Sequence, residues 1–200
     1  KGSNKGQKRD LALIVSEVPA KVAGMFTTNQ ICAAPVKVCV KHIADGKAQA
    51  VVINSGNANA CTGPRGLKDA KEMAALLAEE LLLQPEDVLV GSTGRIGLEL
   101  PMPNIRTGIS QIVKELDDSP SAAHHAAEAI LTSDTQPKEI AIEFKLGGQT
   151  VCLGGIAKGA GMIQPGMSPT GARPPSMPLH ATMLSYLTTD AKIPAATLRG

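Results

Sequence analysis

Three short stretches of this sequence carry groups that could do chemistry. Gly91-Ser92-Thr93-Gly94-Arg95-Ile96-Gly97 follows a short apolar run. Backbone N–H groups at Gly94, with the Thr93 hydroxyl, could face a developing oxyanion there. Lys158 sits in the glycine-rich run Gly154-Gly155-Ile156-Ala157-Lys158-Gly159-Ala160-Gly161. Glycines let a backbone come close to a ligand, and a lysine beside them could hold a substrate carboxylate. Thr182 follows Ala181 and precedes the apolar Met183-Leu184. A threonine hydroxyl is a poor nucleophile unless a base lies beside it. One such base is its own α-amine, once the preceding peptide bond is cut. Ala181-Thr182 therefore reads as a self-cleavage site, or its descendant, that creates an N-terminal threonine nucleophile.

Each stretch also has a plainer reading. The 91–97 segment suffices as a tight turn, and the GxxxxGK[ST] spacing of a nucleotide phosphate loop is absent. Lys158 alone could be a solvated lysine beside a turn, and any apolar strand can contain a threonine. Asn54, Asn57 and Asn59 form an amide-rich loop of the kind whose side chains bond their own backbone. His124 and His125 are adjacent on a predicted helix and do not share a face. With no HExxH or paired-cysteine set, no metal is expected.

The bulk composition sets limits on the scaffold. The chain has 200 residues, enough for one large domain or two small ones with a real core. Apolar residues make up 43% but aromatics only 2%, with no Trp, so Ala, Val, Ile, Leu and Met must build the core. The net charge of +2 shows no basic block with interleaved aromatics, which argues against a nucleic-acid partner. No apolar run approaches the roughly 20 residues of a membrane helix, and the polar start lacks a signal-peptide core. Cys32, Cys39, Cys61 and Cys152 are scattered, and read as reduced, mostly buried thiols of a cytoplasmic protein. Both chain ends read as those of a fragment.

The elements that must position these groups alternate strand and helix. Strands are predicted over residues 11–15, 22–26, 36–40, 48–53 and 88–90, the third from the alternation Val36-Lys37-Val38-Cys39-Val40. Apolar positions at helical spacing predict helices over 67–83, 104–116 and 121–131. Gly147-Gly148 between residues 140–144 and 150–156 marks a hairpin. Residues 168–180 hold Pro169, Pro174, Pro175 and Pro178 and predict an exposed, partly extended loop. A strand over 183–187 and a helix opened by Pro194 close the chain. The fold class is α/β, with mixed sheets layered with helices.

Taken in order, several motifs point one way. They are Phe26-Thr27-Thr28-Asn29, Asn54-Ser55-Gly56-Asn57-Ala58-Asn59-Ala60, Ser92-Thr93-Gly94-Arg95-Ile96-Gly97, Lys158-Gly159-Ala160-Gly161-Met162-Ile163, Ala181-Thr182-Met183-Leu184 and Thr188-Thr189-Asp190-Ala191. The set resembles the ornithine acetyltransferase family, also called ArgJ or glutamate N-acetyltransferase, over nearly the whole chain except residues 168–180. The resemblance implies a self-processing acetyltransferase fold, truncated here. It implies an α-chain-like domain over 1–181 and the start of a β chain over 182–200. Thr182 would be the nucleophile that moves an acetyl group from N-acetylornithine to glutamate. Thr93 and Gly94 would form the oxyanion hole, while Thr132 and Lys158 would contact substrate. No cofactor is implied, although acetyl-CoA is open as a second donor. The remaining β-chain segment would be the partner, in an α2β2 assembly.

Two departures stand out. The family pattern joins the Met after the Pro directly to Ala-Thr, which here would connect Met167 to Ala181, so residues 168–180 are an insert. It roughly doubles the Lys158–Thr182 separation, at a loop-closure cost of only about 0.6 kcal/mol. Thr170 within it is a fallback nucleophile. Most of the β chain is also missing, which keeps two rivals open: a folded, non-catalytic fragment that serves assembly or binding, and a self-processing aminopeptidase.

Overall fold

The computed structural model describes residues 8–159, 167–168 and 183–198. Its first sheet is built on Lys47–Asn57 (β3), whose Val51, Val52 and Ile53 suit a pleated, buried surface. Leu11–Lys21 (β1) pairs with β3 antiparallel, and Val88–Arg95 (β4) pairs with it parallel on the other side. A parallel pair needs a crossover, and Gly63–Leu81 (α2) supplies it. Phe26–Thr27 (β2) pairs with Met167–Ser168 (β7) in a two-stranded ribbon. The second three-stranded sheet places Gln149–Lys158 (β6) between Lys138–Leu146 (β5) and Leu184–Thr189 (β8), all antiparallel. Ala34–His42 (α1), Met102–Ile112 (α3), Pro120–Ala129 (α4) and the short Ala195–Leu198 (α5) complete the elements.

Side chains alternate across a strand, and the two faces of the first sheet meet different neighbours. Leu13, Ala50, Val52, Val88 and Val90 pack with Met73, Ala74 and Leu77 of α2 and Ile105 and Ile109 of α3. Burying each large side chain here contributes about 1.5–3 kcal/mol. On the opposite face Ala12 and Ile53 join Ala129 and Ile130 at the end of α4, together with Ile156, Leu184 and Tyr186 of the second sheet. The helices therefore lie on one side of the first sheet, and α4 with the second sheet on the other.

The structure corrects three expectations. Residues 36–40 are helical, not extended: Pro35 opens α1, and Ala34, Pro35, Val38 and Cys39 form one buried helical stripe. The Cys39 thiol donates to the Val90 carbonyl at 3.1 Å, so contact with β4 overrides the local alternation. Residues 22–26 are not the partner of 11–15. Instead β1 runs on past Pro19, with a register shift between Val15 and Ala20, and pairs with β3. The cysteines are not mostly buried. Only Cys39 is, and burial pushes its thiol up to about 11; Cys32 is half-buried, and Cys61 and Cys152 are exposed free thiols.

The three longer predicted helices stand within a few residues of their bounds. The hairpin turns where expected, with Gly147 and Gly148 both at positive φ, 58° and 81°, as a two-residue turn of type I′ demands. Among the described residues no helix is long and apolar enough to cross a membrane. Of the insert, Ser168 lies in β7, and residues 169–180 lie outside the described residues.

Candidate active site

The 91–97 segment is the carboxyl end of β4, and register sets it beside the end of β3: Ser55 opposite Thr93 and Gly56 opposite Gly94. Gly94 has φ of +128°. A Cβ there would lie 2.3 Å from the Gly56 carbonyl oxygen and 2.4 Å from its carbon. Only glycine lets the two backbones approach this closely.

Among the described residues β4 is an edge strand, and its free edge is covered over only part of its length. Val90 N–H donates to the Cys39 sulfur at 3.2 Å, and His42 Nδ1 lies 2.8 Å from the Val88 carbonyl. In a strand, N–H and C=O of alternate residues point to the same edge. Val88 and Val90 face α1, so Ser92 and Gly94 share that edge, while the Thr93 backbone turns toward β3. Thr93 could offer its hydroxyl toward an oxyanion site, and Gly94 its N–H. Because His42 lies at Val88 and Cys39 at Val90, α1 runs antiparallel to β4. Its N-terminal, partially positive end is directed toward residues 92–94.

The Thr93 side chain lies on the face that the second sheet covers, the same face as Gly91. A Cβ at Gly91 would fall 2.2 Å from the Tyr186 hydroxyl, so β8 is packed against β4 just before Thr93. Beside Thr93, the Ser55 hydroxyl donates to the Ala129 carbonyl at 2.5 Å. That bond anchors the end of α4, from which the chain passes through Ile130 and Leu131 to Thr132.

Thr132 and Lys158 meet through Asp134. Its Oδ1 accepts from the Gly159 N–H at 2.7 Å and from Lys138 Nζ at 2.6 Å, and Oδ2 lies 3.5 Å from the Thr132 N–H. Lys158 is itself buried, and its ammonium donates to the Gly159 carbonyl at 2.7 Å. Burial lowers the Lys158 pKa, Asp134 nearby raises it and Lys138 lowers it, with a net fall. Burial alone would raise the Asp134 carboxyl, but the donors from Lys138, Gly159 and Thr132 prevail and hold it down to about 2. A depressed carboxyl contributes stability that is complete above its unfolded pKa near 4 and is lost as pH falls through about 2. Asp134→Asn is therefore expected to melt a few degrees below the parent at pH 7, for a loss on the order of 1 kcal/mol after solvent screening. That gap should narrow as pH falls toward 2 and close below it. Thermal melts across this range check it, and a gap independent of pH would show that the charge is not what ties the loop.

Thr93 and Gly94 thus lie at the end of β4, and Thr132 and Lys158 at the Asp134 loop and the end of β6; the Ser55–Ala129 bond and the packing of Tyr186 at Gly91 link the elements that carry them. Ala181 and Thr182 lie outside the described residues. Leu184, two residues after Thr182, pairs in register with Lys158. Asp134 and Ser55 belong to this region, and sequence reasoning did not single out either. The only signal for Asp134 was its place in the run that holds Thr132. The amide-rich loop is less self-contained than expected. Asn54 does bond within it, donating to the Asn57 carbonyl at 3.0 Å, but Asn57 reaches the Glu99 carbonyl at 2.6 Å and buried Asn59 the Gly66 carbonyl at 2.9 Å. Among the described residues no group of three His, Cys, Asp or Glu side chains could hold a metal ion. A cavity of about 450 Å³ lined by Lys37, Lys41, His42 and Lys71 lies at the other, Val88 end of β4.

Comparison with known proteins bears on the family and the fold. The chain is 48% identical to the arginine biosynthesis bifunctional protein ArgJ of Symbiobacterium thermophilum, over all of this chain and 46% of that protein. It is 47% identical to the ArgJ protein of Caldanaerobacter subterraneus, over 97% of this chain and 44% of that protein. The chain spans about half the length of the curated relatives it matches. The crystal structure of the ArgJ protein from Bacillus halodurans superimposes with a TM-score of 0.77 at 46% identity, covering 83% of this chain and 86% of that one. Ornithine acetyltransferase from Mycobacterium tuberculosis, solved in complex with ornithine, gives 0.72 at 37% identity, covering 80% and 84%. The model of the ArgJ family matches residues 1–200, and the chain belongs to that family.

Proposed function

We propose that the complete polypeptide carrying these residues is an acetyltransferase of arginine biosynthesis. It would take the acetyl group of N2-acetyl-L-ornithine and pass it to L-glutamate in the cytoplasm. The observation that carries this reading is the pairing of Leu184 with Lys158, on a sheet packed through Tyr186 against the strand that bears Thr93 and Gly94. Leu184, two residues after position 182, is thereby paired at the Lys158 end of β6, which supports this reading.

The chemistry follows from what each group can donate or accept. Before processing, the Thr182 hydroxyl attacks the Ala181 carbonyl. The peptide C–N bond breaks as the nitrogen takes a proton, and water then releases Ala181 as a carboxylate. The freed α-amine has a reference pKa of about 7.7–8.0, so near neutral pH a useful fraction is unprotonated and can act as base. In the transfer reaction that amine takes the hydroxyl proton as Thr182 Oγ attacks the acetyl carbonyl. The Thr93 hydroxyl and Gly94 N–H donate to the developing oxyanion. Its collapse expels the α-amine of ornithine, which takes the proton back, and leaves an acetyl-threonine ester. The amine of glutamate attacks that ester in turn, giving N-acetylglutamate and a free threonine through ping-pong kinetics. Lys158 would hold a substrate carboxylate and Thr132 would contact the same substrate. Acetyl-CoA serves as a second donor on this reading, because the same hydroxyl can attack its thioester. The remaining β-chain segment completes the site, within an α2β2 assembly.

Intact mass and N-terminal sequencing of the purified complete protein test this, alongside an assay of acetyl transfer from N-acetylornithine to glutamate. Two fragments, one beginning at Thr182, and transfer without peptide release are expected. Release of amino acids from short peptides in place of transfer would identify a hydrolase. An uncut, inactive protein would leave an assembly or binding module and overturn the proposal.

A further inference from the structure

The second sheet turns an apolar face outward. In register, Ile140 lies beside Gly155 and Leu187, Ile142 beside Leu153 and Thr189, and Phe144 beside Val151. Directly opposed residues of an antiparallel sheet share a face, so these side chains form one continuous surface. On it Ile140, Ile142, Phe144, Leu146 and Leu187 are between 41% and 71% exposed. The other face of the sheet splits in two. Ile156, Leu184 and Tyr186 are packed into the molecule, and farther out Glu143 and Lys145 face solvent. A sheet with one wet face ordinarily puts its polar side chains there, and this one does the reverse. A contiguous apolar surface of this kind marks an interaction site.

The surface also has relief. A depression of about 300 Å³ is lined by Lys138, Ile140, Gly155, Ala157, Ser185 and Leu187. Gly155 forms its low point, since a Cβ there would fall 2.7 Å from the Leu187 side chain. Glu139 and Ile156 also reach the depression; Lys138 is engaged by Asp134 and Glu139 by His124, so both charged groups of the lining have partners. An apolar side chain is what fits.

We propose that this face seats the C-terminal part that the longer members of the family carry beyond the matched residues. The proposal rests on the family reading and names the partner surface of the same protein. The matched stretch is the N-terminal part of those relatives and covers 46% of one of them, leaving more than half of its length to be placed. β8 forms one edge of this sheet and carries Leu187 on the face, and Asp190 just after it accepts from the Cys152 N–H at 2.8 Å, so the chain leaves the strand still held to the sheet before α5. A second copy is a poorer fit. A free partner needs roughly 800 Å² on each side for a stable interface, more than one face of a three-stranded sheet readily offers. A covalently continuous segment, present at a high effective concentration, can dock on less.

Thiol labelling tests this. Ile142→Cys, and as a control Val18→Cys on β1, are placed both in the 200-residue chain and in a polypeptide that continues it with the C-terminal residues of the Symbiobacterium thermophilum relative. Maleimide labelling is read peptide by peptide to separate it from Cys61 and Cys152, and far-ultraviolet circular dichroism checks that each variant is folded. Position 142 is expected to label at least tenfold more slowly in the continued chain, with position 18 unchanged. Equal rates at 142 in the two polypeptides would overturn the proposal. So would protection in the 200-residue chain alone that grows with its concentration, because the occupant would then be a second copy. Labelling needs no acetyl transfer. A protected but inactive chain would therefore refute the proposed function and leave this surface assigned.

Discussion

Thr182→Ala in the complete polypeptide is expected to leave the chain in one piece and to lower acetyl transfer by a factor on the order of 10⁴ or more. Losses of this size follow removal of a nucleophile that acts as a unit with its base. Alanine keeps the α-nitrogen but has no hydroxyl, so neither the attack on the Ala181 carbonyl nor the attack on an acetyl group can occur. Intact mass reads the first effect and a transfer assay the second. Thr182→Ser keeps both the hydroxyl and the adjacent amine, and should still cut and transfer. If transfer survives in the alanine variant, the nucleophile lies elsewhere, with Thr170 the next threonine to examine.

Gly94→Ala should produce the largest loss of folding stability. The new methyl group would stand 2.3 Å from the Gly56 carbonyl oxygen, at a φ of +128° that an L side chain rarely adopts. Strain and overlap together are expected to cost about 3 kcal/mol or more. For a chain of this size that is a fall in melting temperature of roughly 6–12 °C. Gly97→Ala is the matched control. Gly97 also has positive φ, +80°, but nothing lies within 4 Å of its added Cβ. It should lose only about 1–2 kcal/mol of backbone preference. Equal melting temperatures for the two variants would mean that the ends of β3 and β4 are not held as closely as the structure shows.

Much of the fold was legible because local signals agreed with tertiary ones. Residues 67–83 carry helical spacing and lie where α2 must cross between two parallel strands. Gly147-Gly148 fixes its hairpin without outside help. Residues 36–40 fail instructively. Val-Lys-Val-Cys-Val alternates, yet Pro35 favours a helix start, and the Cys39 contact with Val90 decides the outcome from 51 positions away. The site shows the same division. Thr93, Gly94 and Lys158 stand in motifs of their own, and Thr132 is implied by the family resemblance alone. The bonds that bring their elements together run between Ser55 and Ala129, and between Asp134 and Gly159. No spacing rule foretells a hydroxyl or a carboxylate bridging such distances along the chain. Tyr186 is similar, because the space for it is an absence of side chain at Gly91, visible only once β4 and β8 are packed.

The position of β8 has a bearing on what scission at Thr182 would do to the molecule. Leu184 to Thr189 is knitted rung by rung to β6, which precedes the cut, so severing the chain there would open a nick within a hydrogen-bonded fabric. The strand that begins two residues after such a cut would stay laddered to β6, and the halves would part only when the sheet itself is denatured.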